Sequence, residues 1–123
     1  MSIALRATFL SAAALGAAVP ASAAPLPRPP SFAMCGVCHK TAAGEPNTIG
    51  PNLWQVSGRK AGTAAGYAYS PAMKGSGITW NKASLTTYLA DPKKVVPGTK
   101  MAYAGQKDPK QLAALVDYVL SLK

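Results

Sequence analysis

Both cysteines and the single histidine of the chain fall in one stretch, Cys35-Gly36-Val37-Cys38-His39. C-x-x-C-H is the attachment pattern for a c-type haem. Two thiols three residues apart share one face of a helical turn, where each can add to one of the two porphyrin vinyl groups. The next residue, His39, can then offer an imidazole nitrogen to the iron as proximal ligand. Other uses of these residues compete. A disulfide between Cys35 and Cys38 is open at this point. A thioredoxin-like dithiol calls for a βαβ context, and no strand pattern flanks the motif. A structural zinc site normally takes four Cys or His ligands, and the chain has three such residues.

An iron held by one histidine needs a second axial ligand or an open position. With no second histidine, bis-histidine ligation is excluded. Methionine remains. Met34 directly precedes Cys35, on the wrong side to cross a haem, and Met73 sits in a short helix; both are read as core filler. Met101 lies in a stretch punctuated by Pro97, Gly98 and Gly105. A loop of that composition can approach a flat cofactor closely, and Met101 is the expected sixth ligand.

The elements that must position these residues are helical. Pro30 or Ser31 opens a short helix that carries Phe32 and Met34 into the cysteine motif. From His39 to Gly66 there is no usable hydrophobic periodicity, and the stretch reads as a long loop with Leu53 and Trp54 turned inward. Ser70-Pro71 is an N-cap followed by proline at the first helical position, starting a brief helix that ends before Gly75. Asn81 caps another, with Leu85, Tyr88 and Leu89 at helical spacing, and Asp91-Pro92 stops it. Lys93 to Lys107 reads as a second loop. Asp108-Pro109 starts a last helix with Leu112, Leu115, Val116, Val119 and Leu120 on one stripe. No strand alternation of useful length and no internal repeat is present. The chain reads as all-α with large loops.

The first residues belong to targeting. Arg6 precedes an apolar run from Ala7 to Val19, broken by Thr8, Ser11 and Gly16; Pro20 ends it, and Ala21-Ser22-Ala23 is an A-x-A cleavage site. Residues 1–23 are read as a secretory signal peptide, with an uncleaved anchor as the competing reading. The run is shorter than the roughly 20 residues a bilayer span takes. Residues 24–30, with Pro25, Pro27, Pro29 and Pro30, form an extended linker, and 31–123 one small domain. Export places the mature chain in an oxidising compartment.

Without Arg6 the chain keeps 12 of its 13 basic residues against 4 acidic ones, a formal charge of +8. The basic residues are scattered, with no arginine-rich run and no aromatic stacking platform. This argues against a nucleic-acid partner and for an acidic protein face or an anionic membrane surface. A domain this small with few aromatics buries a thin core, which a haem would complete.

Cys35-Cys38-His39, Gly50-Pro51-Asn52-Leu53, Gly58-Arg59-Lys60, Gly77-Ile78-Thr79-Trp80, Tyr88-Leu89 and Pro97-Gly98-Thr99-Lys100-Met101 occur in order. Together they resemble class I cytochrome c, close to the mitochondrial type and its soluble bacterial relatives, over about Cys35 to Lys123. The resemblance implies a small all-α cytochrome c fold, three to five helices with long loops wrapped around one covalent haem c. It implies that the Pro51 carbonyl accepts a hydrogen bond from the free ring nitrogen of His39, raising its basicity. Tyr69 and Trp80 would donate to a buried haem propionate, Arg59 would offset its charge, and Thr99 would assist. Tyr88 would lie near the Met101 sulfur, and Leu115 and Tyr118 would pack the last helix on the first. Departures are equally specific. The family has a longer first helix, where this chain has Pro27, Pro29 and Pro30, so a truncated first helix is expected. Phe32 lies three residues before Cys35, where the family's aromatic is usually four before. Met73 stands where many relatives carry asparagine, and Tyr103 where they carry phenylalanine.

The implied function is that of a monomeric periplasmic one-electron carrier, not an enzyme, with no transmembrane segment after signal cleavage. Lys40, Lys60, Lys93, Lys94, Lys100 and Lys107 would form a basic ring that steers docking to acidic faces of redox proteins. The resemblance points to a quinol–cytochrome c reductase, a terminal oxidase or a periplasmic dehydrogenase as partners. The alternatives are a dedicated electron-transfer subunit of one complex, and a haem peroxidase or ligand sensor. The last would lack a second histidine for acid–base work.

Overall fold

A computed structural model describes residues 14–18 and 23–123. Most of the expected signal peptide, including residues 7–13 of its apolar run and the Ala21-Ser22 part of the cleavage site, lies outside the described residues. A 3-10 turn, Pro30–Phe32, runs directly into α1, Ala33–Gly36. Then come α2, Pro71–Lys74; α3, Lys82–Ala90; α4, Pro92–Val95; and α5, Pro109–Leu120. Among the described residues the only strand-like pairing is an isolated antiparallel bridge between Lys60 and Thr79.

Local chemistry explains where the helices begin. Ser70 accepts from the Met73 amide at 3.2 Å, and Asp108 from the Gln111 amide at 2.8 Å. Each cap is followed by a proline whose missing N–H costs nothing at the first helical position. Asn81 and Ser84 form a reciprocal capping box at the start of α3, with distances of 3.0 and 2.9 Å. The Asp91-Pro92 pair corrects the expectation of a plain loop after α3. It ends α3 and starts α4, because Asp91 also accepts from the Lys94 amide.

α5 packs on α3 and on the amino-terminal 3-10 turn. Its buried stripe is Leu112, Leu115, Val116, Tyr118 and Val119, so Tyr118 joins the stripe and Leu120 is only partly buried. Phe32 is fully buried and meets Tyr118 edge-on, with ring centroids 4.9 Å apart. This aromatic pair closes the two ends of the domain although the 3-10 turn and α1 together are short. Phe32 reaches Tyr118 from the last position of the 3-10 turn, three residues before Cys35.

One expectation about the apolar residues is corrected. Met34 is not core filler: it is 70% exposed and borders a large cavity instead of packing in the core. In the first long loop Leu53 and Trp54 turn inward as expected, half-buried against the core, and Val56 and Ala61 enter it fully. Met73 is buried, as read.

Candidate functional site

The Cys35–His39 stretch folds back on itself. The amides of Cys38 and His39 both donate to the Cys35 carbonyl, at 3.0 and 2.9 Å. The following loop is then tied to the motif, since the Gly50 amide and the Thr48 hydroxyl both donate to the Cys38 carbonyl, at 2.8 and 2.7 Å. The two cysteines are not joined in a disulfide. Burial pushes the Cys35 thiol above its ordinary range, partly offset by a backbone hydrogen bond.

That loop fixes the His39 ring. Nδ1 lies 2.7 Å from the Pro51 carbonyl oxygen. A carbonyl only accepts, so Nδ1 carries the hydrogen and Nε2 keeps its lone pair. Burial lowers the proton affinity of the ring, outweighing the Pro51 bond that favours its charged form, so the imidazole is held neutral. Gly50 is buried against the ring, and no larger residue fits there: a β-carbon would sit 2.5 Å from Cε1 and 2.7 Å from Nδ1. Asn47 and Asn52 hold the loop in this form. Asn47 accepts from the Asn52 amide at 2.9 Å and donates to the Ala65 carbonyl at 2.9 Å, while Asn52 donates to the Ala42 and Glu45 carbonyls.

A cavity of about 740 Å³ opens beside this ring. Cys35, Cys38, His39, Pro51, Arg59, Tyr69, Trp80, Tyr88, Thr99 and Met101 all line it. Thus every residue singled out for the site from sequence lies on one wall or another of a single space. Its remaining walls are mainly apolar, with Phe32, Leu53, Val56, Met73, Leu85, Leu89, Leu115 and Val119 drawn from both ends of the chain. The polar groups on it are few and oriented. Tyr69 accepts from the Ala64 amide at 3.1 Å and keeps its own hydroxyl hydrogen to donate. Burial raises its pKa, while the Arg59 charge pulls it the other way. Arg59 donates to the carbonyls of Asn52 and Trp54, at 3.1 and 3.4 Å, which fixes a cation at the wall. Trp80 is 8% exposed and its ring lies 5.0 Å from that of Tyr88.

The Met101 segment is set by a turn. The Thr99 amide donates to the Val96 carbonyl at 3.0 Å, with Gly98 at a positive φ of 95°, a conformation glycine adopts without steric cost. Thr99 Oγ1 then bonds the Tyr88 hydroxyl at 3.0 Å and accepts from the Met101 amide at 3.3 Å. Tyr88 therefore reaches the Met101 segment through Thr99. Lys100 donates to the Ala68 carbonyl at 2.7 Å, joining the same segment to the loop that holds Tyr67 and Tyr69.

Sequence reasoning misses Tyr67. It lines the cavity, donates to the Ile49 carbonyl at 2.9 Å and packs edge-on against Tyr69, 4.7 Å between centroids. The available signal was the Tyr67-Ala68-Tyr69 alternation, since residues two apart on extended chain share a face.

The cavity fits a haem on its own features. Its volume is that of a cofactor site, two thiols and a neutral imidazole lie on it, and Gly50 provides the close approach that the imidazole needs. Comparison with known proteins agrees. The family model for cytochrome c matches residues 31–123. Cytochrome c2 iso-2 of Magnetospirillum fulvum is 52% identical over 94 residues, which is 76% of this chain and 97% of that protein. Cytochrome c of Cochliobolus lunatus is 49% identical over 85 residues, 69% of this chain and 79% of that protein. Among solved structures, cytochrome cH from Methylobacterium extorquens superposes with a TM-score of 0.68 at 50% identity, covering 72% of this chain and 89% of that one. The chain belongs to the cytochrome c family and is an electron carrier, not an enzyme, with one haem c attached through Cys35 and Cys38.

Proposed function

We propose that the protein is exported by residues 1–23, works in the periplasm, and holds its haem iron between His39 and Met101. Bound in the cavity, the haem supplies one-electron exchange between ferric and ferrous iron. The protein's part is to hold one geometry in both states. Pro51 fixes the His39 tautomer, leaving Nε2 free to ligate and making it a stronger donor. The Tyr88–Thr99 pair holds the Met101 backbone. Tyr69 and Trp80 offer donors to a propionate whose charge Arg59 offsets, and the apolar wall excludes water.

The observation that carries this reading is that His39, with its ring immobilised by Pro51 and Gly50, and Met101 line the same cavity. Among the described residues no helix is long and apolar enough to cross a membrane. Lys40, Lys60, Lys93, Lys94, Lys100 and Lys107 are all exposed. They support docking to an acidic face of a quinol–cytochrome c reductase, a terminal oxidase or a periplasmic dehydrogenase, with a rate that falls as ionic strength rises.

The test is the spectrum of the ferric holoprotein. Low-spin iron with the methionine–iron charge-transfer band is expected, and Met101→Ala should lose that band and lower the reduction potential. Retention of both in Met101→Ala would remove Met101 from the ligand set.

A further inference from the structure

We propose that Arg28 is a positioning residue for the haem-attachment segment, held in place by the proline-rich arm. Arg28 lies outside residues 31–123, which the family model matches. Its side chain nevertheless bridges both flanks of Cys35–His39. On the upstream side its guanidinium carbon sits 4.9 Å from the centroid of the Phe32 ring. On the downstream side Nη2 donates to the Thr41 hydroxyl at 3.2 Å. In between it passes over Gly36, where a β-carbon would already lie 3.4 Å from Nη1. One planar cation thus contacts the residue three before Cys35, the residue two after His39 and the turn between them. A guanidinium can lie flat on an aromatic face and donate from its edge at once; an ammonium cannot.

The arm holds the cation there. The Leu26 amide donates to Ser121 Oγ at 3.0 Å, and that hydroxyl donates to the Tyr118 carbonyl at 2.6 Å. Tyr118 meets Phe32 edge-on, so Leu26, Ser121, Tyr118, Phe32 and Arg28 form a closed circuit. Pro27, Pro29 and Pro30 restrict the chain between the two anchor points, which leaves little freedom to lose on docking. With only a 3-10 turn and a four-residue α1 that already includes Cys35 and Gly36, this circuit does the bracing that a longer helix would do.

The inference rests on His39 and Met101 being the iron ligands. It is tested by proton NMR of the ferric mature holoprotein beginning at Ala24, reading the hyperfine-shifted haem methyl resonances, which report axial-ligand orientation. Arg28→Ala and Thr41→Val should move the same methyl resonances, and the double variant should move them no further than the larger single change. Arg28→Lys, which keeps the charge, should not restore the wild-type pattern. Asn81→Ala, which weakens the α3 cap at a residue that does not line the cavity, should lower stability and leave the pattern unchanged. Unmoved methyls in Arg28→Ala, additive shifts in the double variant, full rescue by lysine, or an equal shift in Asn81→Ala would each overturn the proposal. A wild-type spectrum without methionine-ligand signals would overturn the ligand set on which it rests.

Discussion

Gly50 and His39 are in mutual contact so close that neither position tolerates an addition: a β-carbon on Gly50 would approach the ring to 2.5 Å at Cε1, 2.7 Å at Nδ1 and 3.0 Å at Nε2. Gly50 has no positive φ, so its backbone would accept alanine, and the obstacle is the ring alone. Gly50→Ala should destabilise the holoprotein by roughly 1–3 kcal/mol, the usual cost of overpacking. It should also perturb the His39–Pro51 bond. Urea unfolding with a parallel reduction potential reads both. Unchanged values in the two measurements would show that the ring can move aside.

Tyr88 and Thr99 should behave as a coupled pair. Tyr88→Phe removes the 3.0 Å bond, and Thr99→Val removes it together with the acceptor for the Met101 amide. Each change should cost about 1 kcal/mol, and a double-mutant cycle should return a coupling of similar size. Strict additivity in urea unfolding would mean that the bond contributes nothing.

Alkaline stability follows from the buried phenols. Burial raises the Tyr88 pKa above its ordinary value near 10, with the Thr99 bond opposing; Tyr69 and Tyr103 are raised by burial as well. For a group whose folded pKa is the higher one, the unfolded chain gives up its proton first. The stabilisation is complete below about pH 10 and is lost as pH rises through the folded value. Stability measured across this window should therefore fall with pH, and less steeply in Tyr88→Phe. An equal slope in the variant would assign the fall to other groups.

The α3 cap offers a control because neither Asn81 nor Ser84 lines the cavity. Asn81→Ala removes the side-chain half of the capping box, the acceptor for the Ser84 amide, while the residue-81 amide can still donate to Ser84 Oγ; it should cost about 0.5–2 kcal/mol, with the reduction potential unchanged. A shifted potential would tie α3's start to the site.

What was legible in the sequence had short-range chemistry behind it. The cysteine–histidine spacing, the cap-plus-proline helix starts and the α5 stripe each depend on residues a few positions apart, and each appears where expected. The Asp91-Pro92 pair shows the limit even there, because one signal both stopped and started a helix. What stayed hidden depended on contacts between loops with no periodicity. Val56 and Ala61 are buried more deeply than Leu53 and Trp54, because the loop's course is set by hydrogen bonds such as those from Gly58 to Trp80 and from Ala61 to Ile78, both at 2.7 Å. The Gly50–His39 contact joins residues eleven apart, and Tyr67 gains its place from a carbonyl eighteen residues away. Residues 24–30 read as a linker by composition, yet their hydrogen bonds reach Thr41 and Ser121.

The proposed site is a closed cage built for electron exchange, with both axial positions held by side chains of this chain. Spectroelectrochemical titration of the mature holoprotein under carbon monoxide tests it most directly. The account predicts one reversible single-electron wave, low-spin spectra at both ends and no change of the reduced spectrum by carbon monoxide. A high-spin reduced form that binds carbon monoxide readily would contradict it, because the sixth position would then be open.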